Sequence, residues 1–201
     1  MLIDPTELYQ GLHFYTYNDI VEREIGRILS HVSGLPVSRF SENVARPEFD
    51  FYLGDLPVEL KITNGVYLPV EVAKDEAAMI PSGVAVSIAP FILYISHGHG
   101  NKAGGSAPVA KVRMLERKRI LRECRNSPPS FYPGKTENEG ALVYYMKGPF
   151  FTNDMWLGDM EFRQDEKQEK WLYDTSTFVP SRRAAGFLKS INEAYIAGDI
   201  S

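Results

Sequence analysis

The sequence predicts an α/β fold on three observations. Residues 18 to 33, NDIVEREIGRILSHVS, repeat apolar side chains at helical spacing. The runs FDFYLG (49 to 54), LPVELKI (56 to 62), FILYIS (91 to 96) and ALVYYM (141 to 146) have the length and composition of strands. A second helical stretch, SRRAAGFLKSINEAYIAG, closes the chain at 181 to 198.

Taken in order, the first helix carries Val21, Ile25, Ile28, Leu29 and Val32 on one stripe, with Asn18 as its expected cap and Gly34 as its stop. LPVSRF (35 to 40) fits a first strand, and Gly54-Asp55 fits the turn of a hairpin between the next two. GVYLPVEVA (65 to 73) contains Pro69, so it is an edge strand or irregular. Pro81 and Gly83 leave residues 75 to 88 undecided. HGHGNKAGGSAP (97 to 108) reads as a glycine-rich mobile loop. Residues 109 to 125 are a strand followed by a helix, or a single basic helix. The polar run DMEFRQDEKQEK (159 to 170) reads as an exposed loop or helix, and Ser181 as the cap of the last helix. With no repeat and no linker, the expectation is one domain over 1–201, its catalytic core at about 18–96 and an elaboration at about 97–201.

Composition narrows the function classes. The 201 residues are 44% hydrophobic and 24% charged, an ordinary globular profile. No apolar run approaches the roughly 18 residues of a membrane helix, and MLIDPTELYQ lacks a basic-then-apolar signal. Cys124 is the single cysteine, which excludes a disulfide framework and a thiolate zinc site. A cytoplasmic protein with no membrane contact is expected. The net charge of -4 argues against nonspecific coating of nucleic acid. Yet Lys111 to Arg125 holds seven Lys/Arg against two Glu, a local balance of +5 that leaves -9 for the rest.

Charges inside two of the strands carry the chemistry. In RPEFDFYLGDLPVELKIT (46 to 63), Asp50 interrupts one apolar run and Glu59 and Lys61 interrupt the next. Alternation places Val58, Leu60 and Ile62 on one face and Glu59 and Lys61 on the other. It likewise puts Phe49, Phe51 and Leu53 together, with Asp50 and Tyr52 opposite. In a hairpin, Asp50, Glu59 and Lys61 then converge on one side. A solvated strand face with a cross-strand ion pair is the competing explanation. Two carboxylates and a lysine suit Mg²⁺, which takes oxygen ligands and is typically held by one or two carboxylates plus a phosphate. The Leu60 carbonyl, between the two charges, offers a further ligand. The ammonium of Lys61 is suited to positioning or helping deprotonate a water, or to stabilising a transition state.

This Asp50, spacer, Glu59-Leu60-Lys61 pattern resembles the signature of the PD-(D/E)xK nucleases, with one departure: Pro47 lies three residues before Asp50 rather than adjacent. The order VEREIGRIL, GLPVSRF, FDFYLG, PVELKI is similar to the family's helix, strand, strand with Asp, strand with Glu-x-Lys, as in archaeal Holliday junction resolvases. The resemblance covers about 18 to 63, plus FILYIS. It implies a restriction-endonuclease-like core, a central mixed β-sheet flanked by helices, and a Mg²⁺-dependent DNA endonuclease in which Mn²⁺ can substitute. It implies Asp50 and Glu59 as metal ligands, Lys61 as the catalytic lysine, and Glu22 or Glu24 as an accessory acid, Glu22 by alignment. A homodimer is implied by the same likeness. Site-specific cleavage is favoured by the 100 residues beyond the core and a junction-selective nuclease by the helix motif. A DNA-binding protein without catalysis is the alternative from another class.

Other candidates carry less. Lys74, Lys111, Arg113, Arg117, Lys118, Arg119 and Arg122 are candidate contacts to a DNA backbone, or a solvated helix face. Arg182-Arg183 is a smaller version of the same. Glu71 with Lys74 has a spacing that puts them on opposite strand faces. His97 and His99, without further Cys or His nearby, do not make a closed zinc site.

Overall fold

The structure, a computed structural model, describes residues 17–38, 49–63, 67–73, 78, 80–96, 109–126, 130–133, 139–147, 154–165 and 170–201. It is an α/β fold built on a mixed sheet. The elements are α1 (Tyr17–Ser33), β1 (Val37–Ser38), β2 (Phe51–Leu53), β3 (Leu56–Thr63), β4 (Tyr67–Ala73), a 3-10 turn (Gly83–Ala85), β5 (Phe91–Ser96), β6 (Val109–Glu116), α2 (Arg117–Asn126), β7 (Ser130–Pro133), β8 (Glu139–Lys147), β9 (Met155–Asp165), β10 (Lys170–Pro180) and α3 (Ala184–Ile196). Seven strands form one sheet in the order β1-β2-β3-β5-β6-β9-β10, and β4-β8-β7 form a second. Among the described residues, only β3 and β5 run parallel; the other pairs are antiparallel. As Pro69 suggests, β4 is an edge strand.

The large sheet is covered on both faces. On one, Val21, Ile25 and Leu29 of α1 and Ala184, Leu188 and Ile191 of α3 pack on Val58, Leu60, Leu93, Ile95, Val112, Leu157 and Met160. Each large aliphatic chain so buried contributes roughly 1.5–3 kcal/mol. On the other, Ile92, Tyr94 and Leu115 pack under Val70, Val84 and the α2 residues Ile120 and Cys124. β5 is therefore apolar on both faces, which explains its uninterrupted FILYIS. β6, β9 and β10 belong to the same large sheet as β1, β2, β3 and β5, and α3 packs with α1 on its core.

The β2–β3 hairpin closes through Gly54-Asp55, with Gly54 at φ 65. Buried Asn192 of α3 pins this turn: its Oδ1 accepts from the amides of Asp55 at 2.9 Å and Leu56 at 3.2 Å. Gly34, at φ 72, ends α1 as its position suggests, its amide bonding the Ser30 carbonyl at 2.7 Å.

Several sequence expectations are corrected. Asn18 lies inside α1, which already includes Tyr17. Ser181 does not cap the last helix; its hydroxyl donates to the Trp156 carbonyl at 2.8 Å, and α3 starts at Ala184. The run 159 to 170 is neither loop nor helix where described, because β9 extends to Asp165 and β10 begins at Lys170. Met160 and Phe162 alternate there with Asp159 and Glu161, a strand period hidden by the density of charge. Of the two options for 109 to 125, strand then helix is the one formed. The loop 97 to 108 lies outside the described residues.

Replacing Asn192 by Ala leaves the Asp55 and Leu56 amides without their acceptor. We expect a loss of about 2 kcal/mol in urea unfolding, the cost of stranding buried donors. An unchanged midpoint would mean that the turn is held without Asn192.

Candidate active site

The two hairpin strands differ in length. β2 pairs with β3 at Phe51↔Val58, Tyr52↔Pro57 and Leu53↔Leu56, while β3 continues to Thr63. Among the described residues, the edge of β3 beyond Val58 therefore has no β2 partner strand. Asp50 sits in the bend where the pairing ends. Its amide donates to the Val58 carbonyl at 2.9 Å, and its Oδ2 accepts the Leu60 amide at 2.5 Å. A side chain thus completes the ladder where a backbone carbonyl would otherwise stand. In a strand the N–H and C=O of one residue share an edge, so the Leu60 carbonyl leaves β3 on the side of Asp50.

The bend also corrects one face assignment. Phe49 is buried but lies outside the cluster that holds Phe51 and Leu53; its ring is tilted against that of Tyr52, centroids 4.6 Å apart. The alternation expected across 49 to 53 breaks at Asp50. Val58, Leu60 and Ile62 do share the core face as expected.

Glu59 and Lys61 lie on the opposite face of β3 and form an ion pair. The Glu59 side chain is only 5% exposed and that of Lys61 is 35% exposed, so the acid is sunk and the lysine is partly exposed. Burial pushes the Glu59 carboxyl above its usual value; the Lys61 charge pulls it back and the Asp50 charge pushes it further up, for a net rise. For Lys61, burial pulls its ammonium down, but the charge of Glu59, the hydrogen bond with it, and the charges of Asp50 and Glu22 together outweigh burial. The net direction is again upward, so Lys61 is held charged.

The charge of Glu22, on α1, thus acts on Lys61. Glu24 turns to Arg27, with Oε1 2.6 Å from Nη1. The structure places Glu22, Asp50 and Glu59 within electrostatic reach of one lysine. Asp50, Glu59 and the Leu60 carbonyl supply the oxygen donors; among the described residues, no group of three or more His, Cys, Asp and Glu forms a metal cage.

The remaining candidates disperse. Lys111 and Arg113 are on β6, while Arg117, Lys118, Arg119 and Arg122 are on α2, so the basic run is not one helix face. Lys118 bonds the Ser201 hydroxyl at 3.0 Å. Glu71 accepts the Ser82 hydroxyl, which gives it a local structural role. Lys74, His97 and His99 lie outside the described residues.

One cluster has no counterpart in the sequence reading. Asp154, with its side chain 5% exposed, accepts the Tyr94 hydroxyl and binds Arg113 Nη1 through both oxygens at 2.9 Å. Burial, followed by this hydrogen bond, drives the Tyr94 phenol upward, so it remains a donor. Tyr94 and Asp154 are 60 residues apart, and nothing local marks them as partners.

Comparison with family models, with curated proteins and with solved structures finds no match for this chain.

The two shifted groups act in the same direction, each losing its contribution as pH rises. Glu59 binds its proton more tightly folded than unfolded, so its contribution to stability is fully present below 4.5 and is lost as pH rises through the folded value. Lys61 contributes stability that is fully present below 10.5 and lost as pH rises through its raised value. In Lys61→Met, Glu59 loses its nearest cation, and its carbon-13 carboxyl titration should move to higher pH than in the wild type. A midpoint that stays put or falls would separate the two side chains.

Proposed function

We propose that this chain is a Mg²⁺-dependent DNA endonuclease with a restriction-endonuclease-like core. One observation carries the reading: carboxylates from α1, the Asp50 bend and β3 all act on Lys61. An exposed cross-strand ion pair does not account for a sunken Glu59, for Asp50 turned inward onto the Leu60 amide, or for a third acid from a helix.

The donor set fits a hard cation. Asp50, Glu59 and the Leu60 carbonyl would hold Mg²⁺, with Mn²⁺ able to replace it, and two carboxylates with water and phosphate oxygens are its ordinary surroundings. When bound, the cation supplies a lowered pKa for a coordinated water and charge neutralisation on the phosphate. Lys61 does its work as a cation. An ammonium whose pKa is raised is a poor base, so its contribution is to orient the attacking water and stabilise negative charge on the phosphate. It also neutralises Glu59 in the absence of a metal, and Glu22 helps hold it at the site.

Cleavage at defined sequences by a homodimer is the substrate reading we favour, since the chain adds a second small sheet, β4-β8-β7, to the core. Junction-selective cleavage is the second reading, favoured by the part Glu22 takes from α1.

With Mg²⁺, plasmid nicking by Asp50→Ala and by Lys61→Ala should fall on the order of 10²–10³-fold. Glu22→Gln should fall less and Glu24→Gln not at all, and chelation should stop the wild type. Cutting by Asp50→Ala and Lys61→Ala at the wild-type rate would overturn the assignment. In the same assay, discrete plasmid fragments mark the site-specific reading, and preference for a synthetic four-way junction marks the other.

A further inference from the structure

We propose that Arg113 and Lys111 form a second phosphate-binding station, which carries the DNA backbone across the sheet face beside Lys61. The proposal rests on the nuclease reading for its substrate, but its geometry is independent of Asp50 and Glu59. Lys61 pairs in register with Tyr94, and Tyr94 with Arg113, so the three side chains form one row across β3, β5 and β6. Parity fixes their face: the neighbouring row of Leu60, Leu93 and Met114 lies in the core under α1 and α3, so Lys61, Tyr94 and Arg113 point the other way. With strands about 4.8 Å apart, Arg113 is about 10 Å from Lys61 at the backbone. That corresponds to roughly three nucleotides at 3.4 Å per strand residue of duplex.

Arg113 is held there rather than trailing in solvent. The buried Asp154 grips Nη1 alone, leaving Nη2 and Nε uncommitted to it, and the guanidinium side chain is 26% exposed. Tyr94, fully buried, donates its hydroxyl to Asp154 Oδ2, an oxygen that Arg113 Nη1 also contacts. An arginine fixed by a carboxylate and partly exposed loses little entropy when it takes a phosphate. Two residues along the same face of β6, exposed Lys111 sits with Nζ 5.7 Å from the centroid of the Trp156 ring. Trp156 is itself 43% exposed, and its indole N–H donates to Asp159 at 2.9 Å. Asp159 is the register partner of Lys111 and the acid nearest it along the ladder; it binds the indole rather than the ammonium in the contacts described. Lys61 and Arg113 in this row, and Lys111 two residues along β6, each present a cation beside an acid, namely Glu59, Asp154 and Asp159; a phosphate backbone lying across the strands would meet the three cations.

The test measures binding with no cleavage, so that it stands apart from the active-site assignment. A 20-base-pair duplex is titrated in EDTA by gel shift at several salt concentrations, and by Trp fluorescence. For Arg113→Gln with Asp154→Asn, a pair that leaves no buried charge unmatched, affinity should drop about tenfold and the salt slope should shrink by about one. Lys111→Gln, at an exposed position that does not threaten folding, should reduce the slope by the same amount. Neutral methylphosphonate linkages placed singly along a cleavable duplex should weaken wild-type binding about two or three nucleotides from the cut, and should not weaken the double variant there. Unchanged affinity and slope in both variants would overturn the proposal even if the wild type cleaves DNA. Loss of binding without any cleavage by the wild type would sustain the station and sink the nuclease.

Discussion

The hydrogen bond from the Leu60 amide to the Asp50 carboxylate organises this molecule's polar centre. It exists because β2 stops at Phe51 while β3 runs on to Thr63, leaving backbone donors that need an acceptor. An ordinary strand end would give that amide to water or to a longer neighbour. Here a carboxylate takes it, and the same contact fixes Asp50 beside Glu59. The apolar face of β3 is locked under α1 and α3, and the turn before it is pinned by Asn192, so the strand cannot shift register to relieve the crowding. Packing on one face maintains charge concentration on the other.

That concentration is unfavourable for Glu59 by itself. Burial and Asp50 both resist its ionisation, and Lys61 makes the ion pair tenable. The lysine gains from the same arrangement, since three acids outweigh its own desolvation. A buried pair of this kind is poor evidence of stability, because well-packed apolar residues would do as well or better. Under the proposed function, these carboxylate oxygens would receive a cation, with the Lys61 ammonium balancing Glu59 until one arrives. In the Tyr94–Asp154–Arg113 cluster, further along the same row, a buried acid likewise orients an arginine.

Local periodicity was enough to recognise much of this. The hairpin, its Gly54-Asp55 turn, the faces of β3, the double-sided β5 and the α1 stripe all follow from spacings of two or three to four residues. The sequence left Glu22 and Glu24 open, because both flank the stripe; in the structure Glu24 pairs with Arg27 and the charge of Glu22 acts on Lys61, a difference that only tertiary placement reveals. Phe49 was misassigned because alternation assumes an unbroken strand, and Asp50 breaks it. The β9 strand was missed because charge density concealed the alternation of Met160 and Phe162. Asp154 was invisible for a different reason: its meeting with Tyr94 and Arg113 depends on β9 pairing with β6, a long-range event with no local signal.

The central claim is that Asp50, Glu59 and the Leu60 carbonyl form one cation site beside Lys61. Substoichiometric Mn²⁺ added to nitrogen-15-labelled protein tests it through paramagnetic broadening of amide resonances, with no substrate required. The account predicts that broadening centres on Asp50, Glu59, Leu60 and Lys61, spreads to Glu22 on α1, and is displaced by Mg²⁺. Broadening centred on another cluster, or none above that of a free-ion control, would contradict it.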